Sequence, residues 1–267
     1  VAMSIAIFIG ARRSTRTSVA SSTGTLREAL RAVWASQPLR TMFAVIVLCE
    51  VAAATALASA PYLADHVIGS EAALVPLFIC LVGPLMLTMP LWQRVAVRRG
   101  KRSALRAAAG IFAVGAASLI ALPYVPSGIR LPFAMVAVGI MGVGFAGTSM
   151  LPPAMFSDAV AHEASTSGRH RIGLLTGASN AAETIAGSIG AGVYAAVLAL
   201  TGFVSSEGQE VTQSATARLG VVLGVGVISA AVLIGVILVL RSYTLKETDM
   251  DIEIDELSTT STSAAAL

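Results

Sequence analysis

The chain has 267 residues, of which 55% are hydrophobic and 12% charged, with a net charge of +3 and a mean hydropathy of +0.80. Soluble domains carry about 25% charged residues, so this composition excludes a water-soluble globule and points to lipid as the surrounding solvent. The basic balance would also suit a nucleic-acid binder, and the placement of the Lys and Arg residues decides between the two.

Val1–Gly10 is apolar but would rise only about 15 Å as a helix, too short to cross a bilayer; it reads as the last half of a transmembrane helix whose beginning is missing. Residues 11–40 are rich in Ser, Thr and Arg and read as a central loop. Within it Leu26, Ala29, Leu30, Val33 and Trp34 have the spacing of a short amphipathic helix on the membrane surface, with Thr25 as N-cap and Glu28 as its capping-box partner. A span needs about 20 mostly apolar residues. Thr41–Ala60, Ala73–Trp92, Ala107–Pro126, Leu131–Phe156, Ile172–Phe203 and Leu219–Leu240 meet that length. The fold class expected is an all-α membrane protein, a six-helix bundle over residues 41–241. The tail from 242 to 267 is acidic, then rich in Ser, Thr and Ala, and is expected to be a disordered, solvated end without a partner.

Arg and Lys alternate along this series. Residues 11–40, 93–106 and 157–171 are basic, whereas 62–72, 127–130 and 204–217 hold almost no positive charge. That alternation is the positive-inside pattern. It places the basic loops and the C-terminus in the cytoplasm of a multi-pass plasma-membrane protein, and it argues against nucleic acid as partner. The lipid bilayer is the partner it implies.

Cys49 and Cys80 lie in separate apolar runs and read as small core residues. His66, His162 and His170 read as solvated loop histidines. Gly173/Gly177 and Gly220/Gly224 have the spacing that lets helix backbones approach closely, and Pro76, Pro84 and Pro90 suit a bent span, although both features also fit ordinary membrane-helix composition. No nucleophile–base pair, nucleotide loop or metal-ligand cluster is recognisable, so an enzyme is not expected and no cofactor is implied beyond a coupling ion, Na+ or H+.

Spans 107–126 and 219–240 lack charged and amide side chains and can face lipid. Glu50 sits at the centre of its span, and Glu183 lies about ten residues, or ~15 Å, into its own. An ionised acid at the bilayer midplane costs on the order of 3 kcal/mol, and no Lys or Arg lies at matching depth. Either acid could bind a solute or take up a coupling proton. The other reading is a protonated acid hydrogen-bonded between helices. Thr176, Asn180, Glu183 and Gly187 share one helix face by their spacing, which suits a hydroxylated solute or, equally, interhelical hydrogen bonding. Tyr194 could stack on a sugar ring or anchor its helix.

Pro90–Arg102, PLWQRVAVRRGKR, resembles the loop between the second and third helices of a major-facilitator half: Arg98, Gly100, Lys101 and Arg102 match, while Val97 stands for the usual acid and Gln93 for the usual glycine. Residues 151–177, LPPAMFSDAVAHEASTSGRHRIGLLTG, are similar to the signature of the glycoside–pentoside–hexuronide:cation symporters, which include the melibiose carrier and lysophospholipid symporters. Pro153, Ala154, Asp158, Gly168, Arg169, Arg171 and Gly173 match, as do Gly190 and Gly202–Phe203 further on. The resemblance implies a twelve-helix transporter, with this chain as its C-terminal half and the N-terminal half as partner. It implies a cytoplasmic gate of Asp158, Arg98, Arg102, Arg169 and Arg171, and a solute path lined by the spans of Glu50 and Glu183. Sugar carriers of the family often have a lysine near Thr184; here Glu183 and Thr184 stand instead. The function expected is solute:cation symport, of a sugar or glycoside. The alternatives are a non-transporting remnant or partner subunit, and a lipid carrier of the same fold.

Overall fold

The computed structural model describes residues 26–167, 172–203 and 215–243, and among these every regular element is helical. The remnant at Val1–Gly10, Thr25, His170, Arg169, Arg171 and the acidic tail lie outside the described residues. Helix α1 is Leu26–Ala35, α2 Gln37–Tyr62, α3 Leu74–Arg99, α4 Lys101–Ser118, α5 Ser127–Ser167, α6 Ile172–Leu200, α7 Ala215–Leu223 and α8 Ser229–Val239. A π-helical turn, Gly224–Ile228, joins α7 to α8, so that Thr216–Ser242 is one span. Among the described residues six helices are long and apolar enough to cross a bilayer.

Helix ends extend beyond the apolar cores because polar residues continue the same backbone pattern. Helix α2 starts at Gln37 with Pro38 in its first turn, where a missing N–H costs nothing. It passes into a π-helical turn, Leu63–Ile68, and stops at Gly69, whose φ of 83° is the left-handed cap that glycine favours. Arg130 ties that end of the bundle: its guanidinium donates to Val67 O at 2.9 Å and to Val125 O at 3.2 Å. Helices α3 and α4 are separated by Gly100 alone, at φ 83°.

Helix α5 packs between α3 and α4, and α2 packs against α5, α6 and α8. The indole of Trp92 donates to Val143 O at 2.7 Å and fixes α3 on α5. The Ser229 hydroxyl donates to Ala52 O at 3.3 Å and joins the last span to α2. Burial divides the spans unevenly. Half of the most apolar stretch is buried in Gln37–Ile68 and in Lys101–Tyr124, and 44% in Thr216–Ser242, but only 22% in α6 and 11% in Glu71–Arg99. The spans at 107–126 and 219–240, expected to face lipid, are therefore built well into the bundle; α3 and α6 are the open ones. In α3 the side chains of Val75, Ile79, Met86, Leu87 and Leu91 are all more than half exposed.

Helix α1 lies across the ends of α2 and α6. Of the apolar face that the spacing assigns, Ala29 and Val33 are buried, whereas Leu30 and Trp34 are exposed, Trp34 by 66%. His66 and His162 correct the loop assignment. His66 is half-buried in the π-turn with its ring 4.9 Å from that of Phe203, and His162 sits in the last turns of α5.

Candidate functional site

The crossing of α2 and α6 places the two acids together. At Gly190 a side chain would put its Cβ 2.6 Å from Val51 O and 2.9 Å from Ala54 Cβ, so only glycine permits this approach. The Thr55 hydroxyl lies in the same contact, 2.7 Å from Val51 O and 3.1 Å from Gly190 O. One turn toward the start of α6 is Gly187, where a Cβ would stand 3.7 Å from Glu50 Oε1. The Glu50 carboxylate thus lies over Gly187, within Coulombic reach of Glu183 one further turn along. Both acids are half-buried, and among the described residues neither pairs with a Lys, Arg or His. The glycine pair lets the Glu50 carboxylate reach α6 at the helix crossing, one turn from the position of Glu183.

The outward face of α6 carries a polar stripe beside the exposed side chains of Ile185 and Ile189. Thr176, Asn180, Thr184 and Ser188 recur every four residues and are all exposed. The hydroxyls of Thr184 and Ser188 donate back to Asn180 O at 3.0 Å and Thr184 O at 3.1 Å. Gly173 and Gly177, on the same helix, have no atom within 4 Å of where a Cβ would sit. Thr176 and Asn180 share this face as their spacing predicts, and Glu183, half-buried, lies at its edge. Thr184 and Ser188 complete the stripe; continuing the four-residue step from Thr176 would have found both.

Tyr194 is away from that face. It is 2% exposed, with its ring 5.6 Å from that of Tyr62 and packed on Gly224, where a Cβ would come within 2.6 Å of the ring. The Gly220/Gly224 pair is used inside the bundle, against Thr201 and Tyr194, whereas Gly173/Gly177 remains open.

At the basic end, Lys101 Nζ meets Asp158 Oδ2 at 2.5 Å. Arg102 donates to Arg241 O at 3.0 Å, and Gln37 donates to Ser242 O. Asp158 and Arg102 thus bind within this bundle, and Arg98 is exposed without an ion-pair partner among the described residues. Lys101, part of the R-x-G-K-R sequence, is the partner of Asp158 that the spacing did not single out.

An apolar crevice lies between α2 and α3, floored by α4 and α5. It holds about 40 Å³ of space between side chains that include Leu57, Phe78, Phe112, Met141 and Phe145. Its one hydroxyl, that of Ser59, already donates to Ala56 O at 2.6 Å.

A family model described as MFS/sugar transport protein matches residues 1–247. A search of the curated proteins found no match.

Proposed function

We propose that this chain, which belongs to the MFS/sugar transport protein family, is one bundle of a secondary transporter that moves a sugar or glycoside in symport with a cation. The family is one of multi-pass membrane transporters; the solute, the cation and the partner bundle are our reading. The observation that carries it is the approach of Glu50 to Gly187 of α6, one turn from Glu183 and at the edge of the exposed polar stripe. A solute hydroxyl can donate to a carboxylate and accept from the Asn180 amide. Two unpaired carboxylates at mid-span also form a place for one proton or one Na+, whose arrival removes the repulsion between them.

The open faces of α3 and α6 support a second bundle on that side. Helix α6, one of the two spans with the least burial, carries the polar stripe and the open Gly173 and Gly177, so closing a partner bundle on it would enclose the stripe rather than expose it to hydrocarbon. Alternating access would then be rocking of the two bundles about the acids. The basic end, with Arg98, Arg102, Asp158 and the Arg169–Arg171 segment, would be the cytoplasmic rim together with the C-terminus.

The test is gradient-driven uptake by the full-length protein in vesicles, with a panel of glycosides and with Na+ and proton gradients imposed separately. Glu50→Gln and Glu183→Gln should each abolish accumulation against a gradient while leaving the folded protein intact. Wild-type accumulation in both variants would end the assignment. A second reading, a lipid carrier, is favoured by the apolar crevice beside Leu57 and Phe78. Uptake of a lysophospholipid with no uptake of any glycoside would select it.

A further inference from the structure

We propose that the acidic segment Glu247–Glu256 docks on the basic corner where α3 meets α4. The corner is crowded with unneutralised charge. Arg94, Arg98, Arg99, Arg106 and Arg241 are exposed there, and none forms an ion pair with a described carboxylate. Among them Val97 is 82% exposed, an apolar side chain between arginines.

The chain delivers its acids to this place. It leaves α8 through Leu240–Ser242 and a buried Tyr243. Arg102 holds the carbonyl of Arg241, and Gln37 holds that of Ser242. The segment after Tyr243 therefore starts beside Arg102 and not elsewhere on the rim. Glu247 is four residues past Tyr243, a reach of at most roughly 14 Å.

The pattern of the segment fits that surface. Glu247, Asp249, Asp251, Glu253 and Asp255 occupy every second position, with Thr248, Met250, Ile252 and Ile254 between them. Any extended stretch with this alternation carries carboxylates along one edge and apolar side chains along the other. The acidic edge matches the arginines of the corner, and the apolar edge is then turned away from them. A segment that served solubility alone would gain nothing from the alternation. The docked segment would neutralise the rim and tie the last span to the α3–α4 corner.

Pulsed electron paramagnetic resonance on the full chain tests this. Nitroxides are placed at Gln93→Cys and Ser258→Cys, in a background of Cys49→Ala and Cys80→Ala, in phosphatidylcholine nanodiscs. At about 20 mM salt the distance distribution should be narrow. It should broaden at least about twofold at ~500 mM salt, where screening extends over only a few ångströms. Arg98→Gln with Arg99→Gln should cause the same broadening at low salt. A distribution already broad at low salt, or one indifferent to these substitutions, would overturn the proposal. So would its broadening at low salt when phosphatidylglycerol is added, because the corner would then belong to lipid headgroups.

Discussion

Replacing Gly190 by alanine tests the helix crossing that brings Glu50 to Glu183. The added Cβ would lie 2.6 Å from Val51 O and 3.2 Å from Thr55 N, both backbone atoms that no rotamer change can move aside. Forcing a methyl into such a contact costs about 1–3 kcal/mol. Parting the helices also weakens the Thr55 hydrogen bond to Gly190 O, and interhelical hydrogen bonds in membranes average about 0.6 kcal/mol. Against this, Gly→Ala in a helix interior gains up to about 1 kcal/mol from backbone propensity. Gly177→Ala, on the same helix with nothing within 4 Å, carries that gain alone. The propensity terms cancel between the two variants. Gly190→Ala should therefore be less stable than Gly177→Ala by roughly 1.5–3.5 kcal/mol. Unfolding by SDS titration in mixed micelles, followed by circular dichroism, measures the difference. Equal midpoints would mean that α2 and α6 do not approach at Gly190, and the juxtaposition of the two acids would fall with that contact.

Removing one partner of the Lys101–Asp158 pair leaves a half-buried charge behind; Lys101→Met and Asp158→Leu should each destabilise the bundle, and the double variant should be about 1 kcal/mol better than their sum, read from a double-mutant cycle in the same titration. The Tyr194 hydroxyl is buried without a hydrogen-bond partner among the described residues, so Tyr194→Phe should change stability by less than about 0.5 kcal/mol. Gly224→Ala, which drives a methyl into the Tyr194 ring, should cost about 1–3 kcal/mol; a larger loss in Tyr194→Phe than in Gly224→Ala would refute this account of the site. Trp92→Phe removes the bond to Val143 O and should cost more than the ~0.6 kcal/mol of that bond alone, because the smaller ring also leaves a gap in the buried contact with α5; it leaves Trp34, which is largely exposed, as the fluorophore, with a red-shifted emission maximum.

The number of spans was readable from hydropathy because lipid imposes length and apolarity directly on the chain. Helix ends were less readable: Lys101–Arg106 and Ser157–Ser167 are polar but continue their helices, and nothing in their composition marks a stop until Gly100 or the end of α5. Thr176 and Asn180 could be placed on one face by spacing, since that is a property of a single helix. What opposes Glu50 depends on where two helices cross, and the crossing is decided by Gly187 and Gly190 of a segment more than a hundred residues away. The same holds for Lys101 and Asp158, 57 residues apart. Absence of charge in 107–126 suggested a lipid face, but apolar helices fill a bundle as readily as they meet hydrocarbon. Partner contacts, not polarity, decide which of the two they do.

Gly100 has a mechanical consequence. With a single residue between α3 and α4, the two spans form a hairpin with almost no slack, and its elbow is a backbone conformation that side-chain-bearing residues rarely adopt. Helix α3 is the loosest strut of the bundle and α4 one of the most tightly gripped. Any tilt of α3 must therefore either swing about that elbow or drag a core helix with it, so the elbow acts as a fulcrum through which movement on the open side is passed to the interior.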